Sequence, residues 1–427
     1  MPAASALGCA DRRLLGYNDG TGEIIGVRNE RQPMSSIELK PGRERPVHNR
    51  HPWIFSGAIA RSADVDADEV EIYSHDGEWL ARGLWSPQSQ IRARIMTWKY
   101  DEPIDGLYFR RRIANALSMR LKHPAYNDAN AMRIVHGESD LIPGLIIDRY
   151  GDFVSVQLLT RGIDQRRADI VQAIVDLMHP KGIFDRSDPE MRMLEGLSSS
   201  HGVLWGEAPP ETMIINHPTG LRETLDLDNG QKTGGYLDQA LNRISVAAYA
   251  NGADVLDCFC YTGGFSVAAA LGGARSITAV DGSALALDAL QNDIKLNGAS
   301  STPLEIVEAD VFKLLRKYRD EERRFDMIIL DPPKFAHSQA QIDRATHGYK
   351  DINLLAMKLL RPGGLLATYS CSGLVSPDLF QKVIFGASVD AQRDVQVIER
   401  HTQAPDHPVL LSFPEGEYLK GLICRVW

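Results

Sequence analysis

The sequence predicts a doubly wound α/β sheet in its C-terminal half, preceded by a small β domain and a small mixed α+β segment. Three observations carry this expectation. From about Asn229 onward, short apolar strands alternate with amphipathic helices, the pattern of a parallel sheet covered on both faces. Between about residues 36 and 98 the runs are strand-like and joined by tight turns. Between these regions, helices and strands mix without regular alternation.

Residues 1–35 carry no hydrophobic periodicity and read as a disordered extension, with Met34 as an alternative start. In residues 36–100, Val70-Glu71-Ile72-Tyr73 leads into His75-Asp76-Gly77-Glu78, where Asp-Gly marks a hairpin turn. Gln90-Ile91-Arg92-Ala93-Arg94-Ile95 alternates strictly, which puts Arg92 and Arg94 on one face of a strand. A β domain with one basic face is expected. Lys99–Gly106 is a polar linker. Residues 105–228 should hold helices from about Leu107 to Leu121 and Asp164 to Met178. Strands are expected there at Met132–Val135, Leu145–Asp148, Phe153–Leu158, Gly182–Arg186 and Thr212–Asn216. Residues 229–427 supply strands at Asp254–Phe259, Ser276–Asp281, Leu304–Val307, Met327–Leu330 and Leu365–Tyr369. Helices such as Ala284–Asn297 and Ile352–Arg361 run between them.

The 427 residues favour two or three domains over one, and a chain 44% hydrophobic and 24% charged has an ordinary globular composition. No apolar run approaches the ~18–20 residues of a membrane span. Five cysteines without framework spacing suit a reducing cytoplasm better than a disulfide scaffold, and no metal-ligand cluster is visible. The net charge of −9, taken alone, argues against a nucleic-acid partner. Local patches matter more. Lys40, Arg43, Arg45 and Arg50 stand against a single acid, Glu44, with His48 and His51 nearby, and Arg110-Arg111-Arg112 forms a second basic run.

In doubly wound sheets, ligands bind at the carboxyl ends of the strands. The first strand carries Asp257 and Phe259 and runs into Tyr261-Thr262-Gly263-Gly264-Phe265, whose glycines let backbone approach a ligand and start the next helix. This is not GxGxxG, so a non-phosphorylated nucleoside is favoured over a pyrophosphate. Asp281, about 17 residues past Gly264, ends the second strand with Ser283 just beyond, and an acid there can accept from both ribose hydroxyls. Asp310 follows the third strand, placed for an adenine amine. In this order, glycine turn, Asp281 and Asp310 describe the pocket of class I S-adenosylmethionine methyltransferases. A nicotinamide-type dinucleotide domain is the alternative.

The fourth strand ends in Asp331-Pro332-Pro333-Lys334-Phe335 and the fifth in Ser370-Cys371-Ser372, so both tips should face that pocket. C5 of cytosine is a poor nucleophile, but attack of a thiolate on C6 makes C5 able to take a methyl group. A free thiol is only ~3% ionised at neutral pH, so such a site must favour the thiolate. Cys371 is the expected nucleophile, and Asp331 the group bonding the base near N3 and the exocyclic amine. A buried structural thiol is the alternative for Cys371. Cys258 and Cys260, two apart on one face of the first strand, and Cys424 in the last strand are expected core residues.

These motifs resemble the bacterial large-subunit ribosomal RNA cytosine-C5 methyltransferases that join an N-terminal PUA domain to a class I methyltransferase domain. The resemblance covers nearly everything from residue 36 on. It rests on Gly42-Arg43, Arg50-His51-Pro52-Trp53-Ile54-Phe55-Ser56-Gly57, Ser89-Gln90-Ile91-Arg92, Pro143-Gly144-Leu145, Asp148-Arg149-Tyr150, Lys232-Thr233-Gly234, Tyr236-Leu237-Asp238-Gln239 and the motifs above. It implies S-adenosylmethionine as cofactor, with Lys232 to Gln239 beside it, including Tyr236, Asp238 and Gln239. It also implies Cys371 as nucleophile, a middle segment walling an RNA cleft, and RNA contacts from Arg43, Arg50, Trp53, Arg92 and Lys334. The extension before residue 36 departs from the pattern, as does Ala240 where the family carries a basic residue.

The expected partner is large-subunit rRNA, naked or in an early particle, with no membrane and no metal. A homodimer stays open. Two alternative functions remain: methylation of another base atom such as guanine N7, which needs no thiol, and an inactive RNA-binding protein. His136, Asp406 and His407 could neighbour the cleft, with nothing in the sequence to choose among them.

Overall fold

The computed structural model describes residues 35–218, 220–228, 230, 234–336 and 338–427. Lys232-Thr233 and the extension up to residue 34 lie outside them.

The N-terminal sheet has six strands: Ser36–Leu39, Trp53–Phe55, Ile59–Arg61, Glu69–Tyr73, Trp79–Trp85 and Ile91–Thr97. The Asp76-Gly77 turn joins the antiparallel pair Glu69–Tyr73 and Trp79–Trp85, with Gly77 at φ 85°. Ile37, Val70, Ile72, Trp85, Ala93 and Ile95 fill its core.

The expected basic face is not an open one. Arg94 is buried, and its guanidinium pairs with buried Glu195 at 2.7 Å. The strand is covered by the middle segment on that side, so a charge there needs a partner from it. Arg92 is only half-buried. The Arg110–Arg112 run is also paired, with Asp176 at 3.6 Å and with Glu102 at 2.6 and 3.9 Å.

The middle segment is a five-stranded sheet ordered Gly202–Gly206, Gly182–Asp185, Phe153–Leu158, Leu145–Tyr150, Ala131–His136. Helices Gly106–Leu121 and Arg167–Met178 pack on it. Leu84 and Met96 of the N-terminal sheet lie in the same core. A hairpin, Met213–Asn216 with Arg222–Leu225, follows.

The C-terminal sheet has seven strands: β1 Asp254–Cys258, β2 Ser276–Asp281, β3 Leu304–Glu308, β4 Phe325–Leu330, β5 Leu360–Ser370, β6 Val395–Thr402 and β7 Lys420–Val426. Their order is β3-β2-β1-β4-β5-β7-β6. The five strands from β3 to β5 are parallel, while β7 runs antiparallel to both neighbours. Helices α1 Ala240–Ala248, α2 Gly264–Leu271 and α3 Ala284–Leu296 cover one face. The other face carries α4 Val311–Asp320, α5 Ile342–Leu359 and α6 Pro377–Ala391. Burial on both faces explains why β1 and β4 read as continuous apolar runs.

Cys258 and Cys260 are both buried, but on opposite sides of the sheet. β1 ends at Cys258, and Phe259 takes φ 62°, which breaks the two-residue alternation and swings Cys260 into the other layer. Cys424 is fully buried, as expected.

Candidate active site

The chain leaves β1 through a turn in which Phe259, Tyr261 and Gly263 all have positive φ, at 62°, 50° and 79°. Such backbone is costly for the two aromatic residues and persists only where the surroundings hold it. Here Asp281 Oδ2 accepts from Tyr261 N at 2.9 Å, and Asp281 Oδ1 accepts from Ser283 N at 3.0 Å. The tip of β2 thus clamps the turn after β1. A Cβ on Gly263 would lie 2.1 Å from Leu290, and one on Gly264 would lie 2.4 Å from the Arg243 guanidinium carbon, so close packing requires both glycines.

A cavity opens above this turn, at the carboxyl ends of β1, β2, β4 and β5. Of the residues expected beside a cofactor, Tyr236, Asp238, Gln239, Phe259, Tyr261, Thr262, Gly264, Asp281 and Asp331 line it, and Lys334 and Cys371 complete the wall. The others are placed differently. Asp257 is fully buried beneath the turn. Gly263 packs against Leu290. Ser283 caps α3 through Ala286 N, and the exposed Asp310 caps α4 by accepting from Lys313 N at 3.1 Å. Neither Ser283 nor Asp310 lines the cavity.

Burial pushes the Asp257 carboxyl up to about 7, with Asp331 and Asp281 adding to the shift and the Ser266 hydroxyl opposing it. Its Oδ2 accepts from Ser266 Oγ at 2.7 Å, while buried Oδ1 has no hydrogen-bond partner among the described residues. Arg243, which also lines the cavity, is buried with Nε likewise unpartnered among the described residues. Its Nη1 lies 3.4 Å from Glu223 Oε2. Burial alone would raise the Glu223 carboxyl, but Arg243, His217 and the Thr262 hydroxyl outweigh it and hold it far below the usual carboxylate range.

Cys371 follows β5 directly and is only partly buried, whereas Cys258, Cys260 and Cys424 are buried. Its flanking serines are held from below by one phenol. Ser370 Oγ donates to Tyr349 Oη at 2.9 Å, and Tyr349 Oη lies 3.0 Å from Ser372 Oγ. Ser372 Oγ also accepts from Ala336 N at 3.4 Å, tying the tip of β5 to the Asp331–Phe335 loop.

Sequence reasoning missed Arg243, Gly282, Leu419 and, beside the cavity, Lys420. A lysine inside the apolar run Leu419–Cys424 was a usable signal, since such a residue needs buried partners. His136, Asp406 and His407 do come together: the two imidazoles lie 5.1 Å apart, and His407 Nδ1 is 2.8 Å from Asp406 Oδ1. They sit behind the cavity wall, where Tyr418 Oη donates to Asp238 Oδ2 at 2.7 Å. Burial, with Arg133 adding to it, holds His136 well below its ordinary value.

Of the expected RNA contacts, Arg43 and Arg50 are exposed, and the Arg50 guanidinium lies 5.2 Å over the Trp98 ring. Arg43 and Arg45 have no ion pair among the described residues, while Glu44 is engaged by His75 at 2.8 Å. Trp53 is partly buried, donating from Nε1 to Glu138 at 2.8 Å, with its ring 4.7 Å from that of Phe413. Among the described residues no helix is long and apolar enough to cross a membrane, and no group of side chains suits a metal ion.

The sheet order and the cavity over a glycine turn define a methyltransferase of the class that uses S-adenosylmethionine. Residues 197–422 match the family model described as S-adenosylmethionine-dependent methyltransferase, and residues 37–98 match that of a PUA-like domain. The chain is 47% identical over 392 residues to ribosomal RNA large subunit methyltransferase I of Klebsiella pneumoniae (strain 342), spanning 91% of this chain and 98% of that protein. It is 49% identical over 395 residues to the same-named protein of Shewanella frigidimarina, spanning 92% and 99%. An S-adenosylmethionine-dependent methyltransferase structure from Streptococcus mutans shares the fold at 23% identity and a TM-score of 0.80, covering 92% of this chain and 100% of that chain. A methyltransferase complexed with SAH matches equally well, at 23% identity and a TM-score of 0.80. This chain belongs to the ribosomal RNA large subunit methyltransferase I family.

The residues present fit S-adenosylmethionine. Asp238, Asp281 and Asp331 line the cavity and supply acidic oxygens suited to a cationic ligand. Asp281 lies at the tip of β2, where a ribose is held in this fold class.

Proposed function

We propose that this protein methylates C5 of a cytosine in large-subunit ribosomal RNA, with Cys371 as nucleophile and Asp331 holding the base. The observation that carries this reading is that Cys371, at the tip of β5, opens into the same cavity as Asp331, at the tip of β4. Methylation of a base atom with its own lone pair, such as guanine N7, would need no thiol there.

When bound, S-adenosylmethionine supplies an electrophilic methyl group to C5. Tyr236, Asp238, Gln239, Asp281 and the Tyr261–Gly264 turn would hold it, over Asp257 and Arg243. The Cys371 thiolate adds to C6, forming a sulfur–carbon bond, and the electron pair of the C5–C6 double bond becomes available at C5. In its protonated form Asp331 donates to N3, where negative charge builds, and accepts from the exocyclic amine. Once C5 carries the methyl group, its proton passes to solvent water. That electron pair restores the double bond and expels Cys371 as thiolate.

Arg43, Arg50, Trp53, Arg92 and Lys334 are the proposed RNA contacts. The target base must be unstacked, at about a few kcal/mol, which is cheaper on naked RNA or an early particle than on a mature subunit. A cytoplasmic enzyme acting on nascent rRNA fits this reading.

The test is incubation of the protein with S-adenosylmethionine and large-subunit rRNA from a strain lacking the enzyme, followed by mass spectrometry of the nucleosides. New 5-methylcytidine, absent with Cys371→Ala, is expected. Another methylated nucleoside, or full activity of the variant, would sink the covalent mechanism.

A further inference from the structure

We infer that Lys420 is a positioning residue for Cys371: it pins the turn that presents the sulfur and keeps a positive charge beside it. The inference rests on the reading of Cys371 as nucleophile. Lys420 opens β7, pairs with Ser370 across the sheet and is 5% exposed. A lysine buried in an apolar strand is costly unless its ammonium is bonded. Lys420 Nζ donates to Ser372 O and Val375 O, each at 2.6 Å. Both carbonyls belong to the turn directly after Cys371, which Val375 N closes by donating to Ser372 O at 3.0 Å.

On its other side the turn is already held by the Ser370, Tyr349 and Ser372 hydroxyls. A neutral donor could pin the two carbonyls equally well, so the turn alone does not require a charge. The cavity does, if a thiolate must form in it. The Asp331 carboxylate shares the cavity with Cys371 and disfavours a second negative charge there. Lys334 and Lys420 oppose it, with Glu417 acting on Lys420 from the segment before β7. Burial draws the Lys420 ammonium down to about 8, and Cys371 pulls in the opposite direction. The ammonium therefore persists at neutral pH, where the thiolate is needed.

The test is the pH dependence of Cys371 alkylation by iodoacetamide in the full-length protein without RNA, read by mass spectrometry of the Cys371 peptide. The wild-type midpoint is expected below the ~8.5 of a free thiol. Lys420→Met should raise that midpoint by about one unit, slowing alkylation at neutral pH about tenfold, while Lys420→Arg keeps most of the wild-type rate. An unchanged midpoint in Lys420→Met would overturn the inference. So would a wild-type midpoint at or above that of a free thiol, which decides the matter even if the methionine variant does not fold. Because the readout needs no RNA, a product other than 5-methylcytidine would remove the nucleophile reading without altering this result.

Discussion

The Gln239 side-chain amide donates to Asp331 Oδ2 at 3.1 Å, and the Gln239 carbonyl oxygen accepts from Asn242 Nδ2 at 2.6 Å. A relay from α1 thus orients the carboxylate at the tip of β4 before any base arrives. Orientation of this kind is worth most when its loss lets a reacting group drift by about 1 Å. Gln239→Ala should lower single-turnover methylation roughly 10–100-fold. Gln239→Glu should lower it further, because it sets two carboxylates against each other. Equal rates for the two variants would show that the hydrogen bond is not what matters.

Tyr349 is fully buried and bridges the two serines around Cys371. Tyr349→Phe removes only the hydroxyl, leaving buried polar groups short of a partner at about 1–3 kcal/mol. Chemical denaturation should register that loss. Methylation should fall about tenfold while S-adenosylmethionine affinity, measured by calorimetry, stays within about twofold, since Tyr349 is outside the cavity wall. A matching fall in cofactor affinity would mean the network supports the whole site rather than the thiol.

Asp257 gives a pH prediction with a definite sign. Its carboxyl is raised by burial from 3.8 to about 7, so between those values the folded chain holds a proton that the unfolded chain has released. Its contribution to stability therefore declines as pH rises across that window, by at most about 4 kcal/mol. Asp257→Asn should flatten this decline and stabilise the apo-protein at neutral pH. A cationic cofactor favours the ionised form, so wild-type affinity should increase from about pH 6 to about pH 8 and the asparagine variant should lose that increase. Thermal melts and calorimetry at the two pH values decide it.

Arg43 and Arg50 are exposed cations in the connection between strands Ser36–Leu39 and Trp53–Phe55, distant in sequence from the cavity residues. Replacing both with alanine should weaken rRNA binding and reduce the slope of log K against log salt by about one for each phosphate no longer neutralised. Cofactor affinity should not move. A slope identical to wild type would remove this patch from the RNA interface.

The sequence made the C-terminal sheet legible because strands buried on both faces read as apolar runs and helices as amphipathic ones. β7 is the exception to the parallel pattern, and nothing in an apolar run reports its direction. The glycine turn, Asp281, Asp331 and Cys371 were found because strand tips gather ligands in this fold class. Asp310 was placed by the same rule, and in the structure its Oδ1 also caps α4. The basic face of residues 90–95 was misjudged because alternation reports which side a residue faces and not what lies there; Glu195 is about a hundred residues away in sequence. Cys258 and Cys260 are both core residues as expected, but they do not share a face, because of a positive φ at Phe259 that composition does not announce.

Leu84 and Met96 of the N-terminal sheet share a core with Ile134, Val156 and Ile163, and the Arg94–Glu195 pair is sealed beside that seam. A module joined through a continuous apolar interior cannot swing like a bead on a string. The Arg43–Arg50 surface is therefore held at a set distance from the middle segment, like one jaw of a caliper. If that surface grips RNA as proposed, the folded shape of the RNA, as much as its letters, would choose which nucleotide reaches the Cys371 cavity.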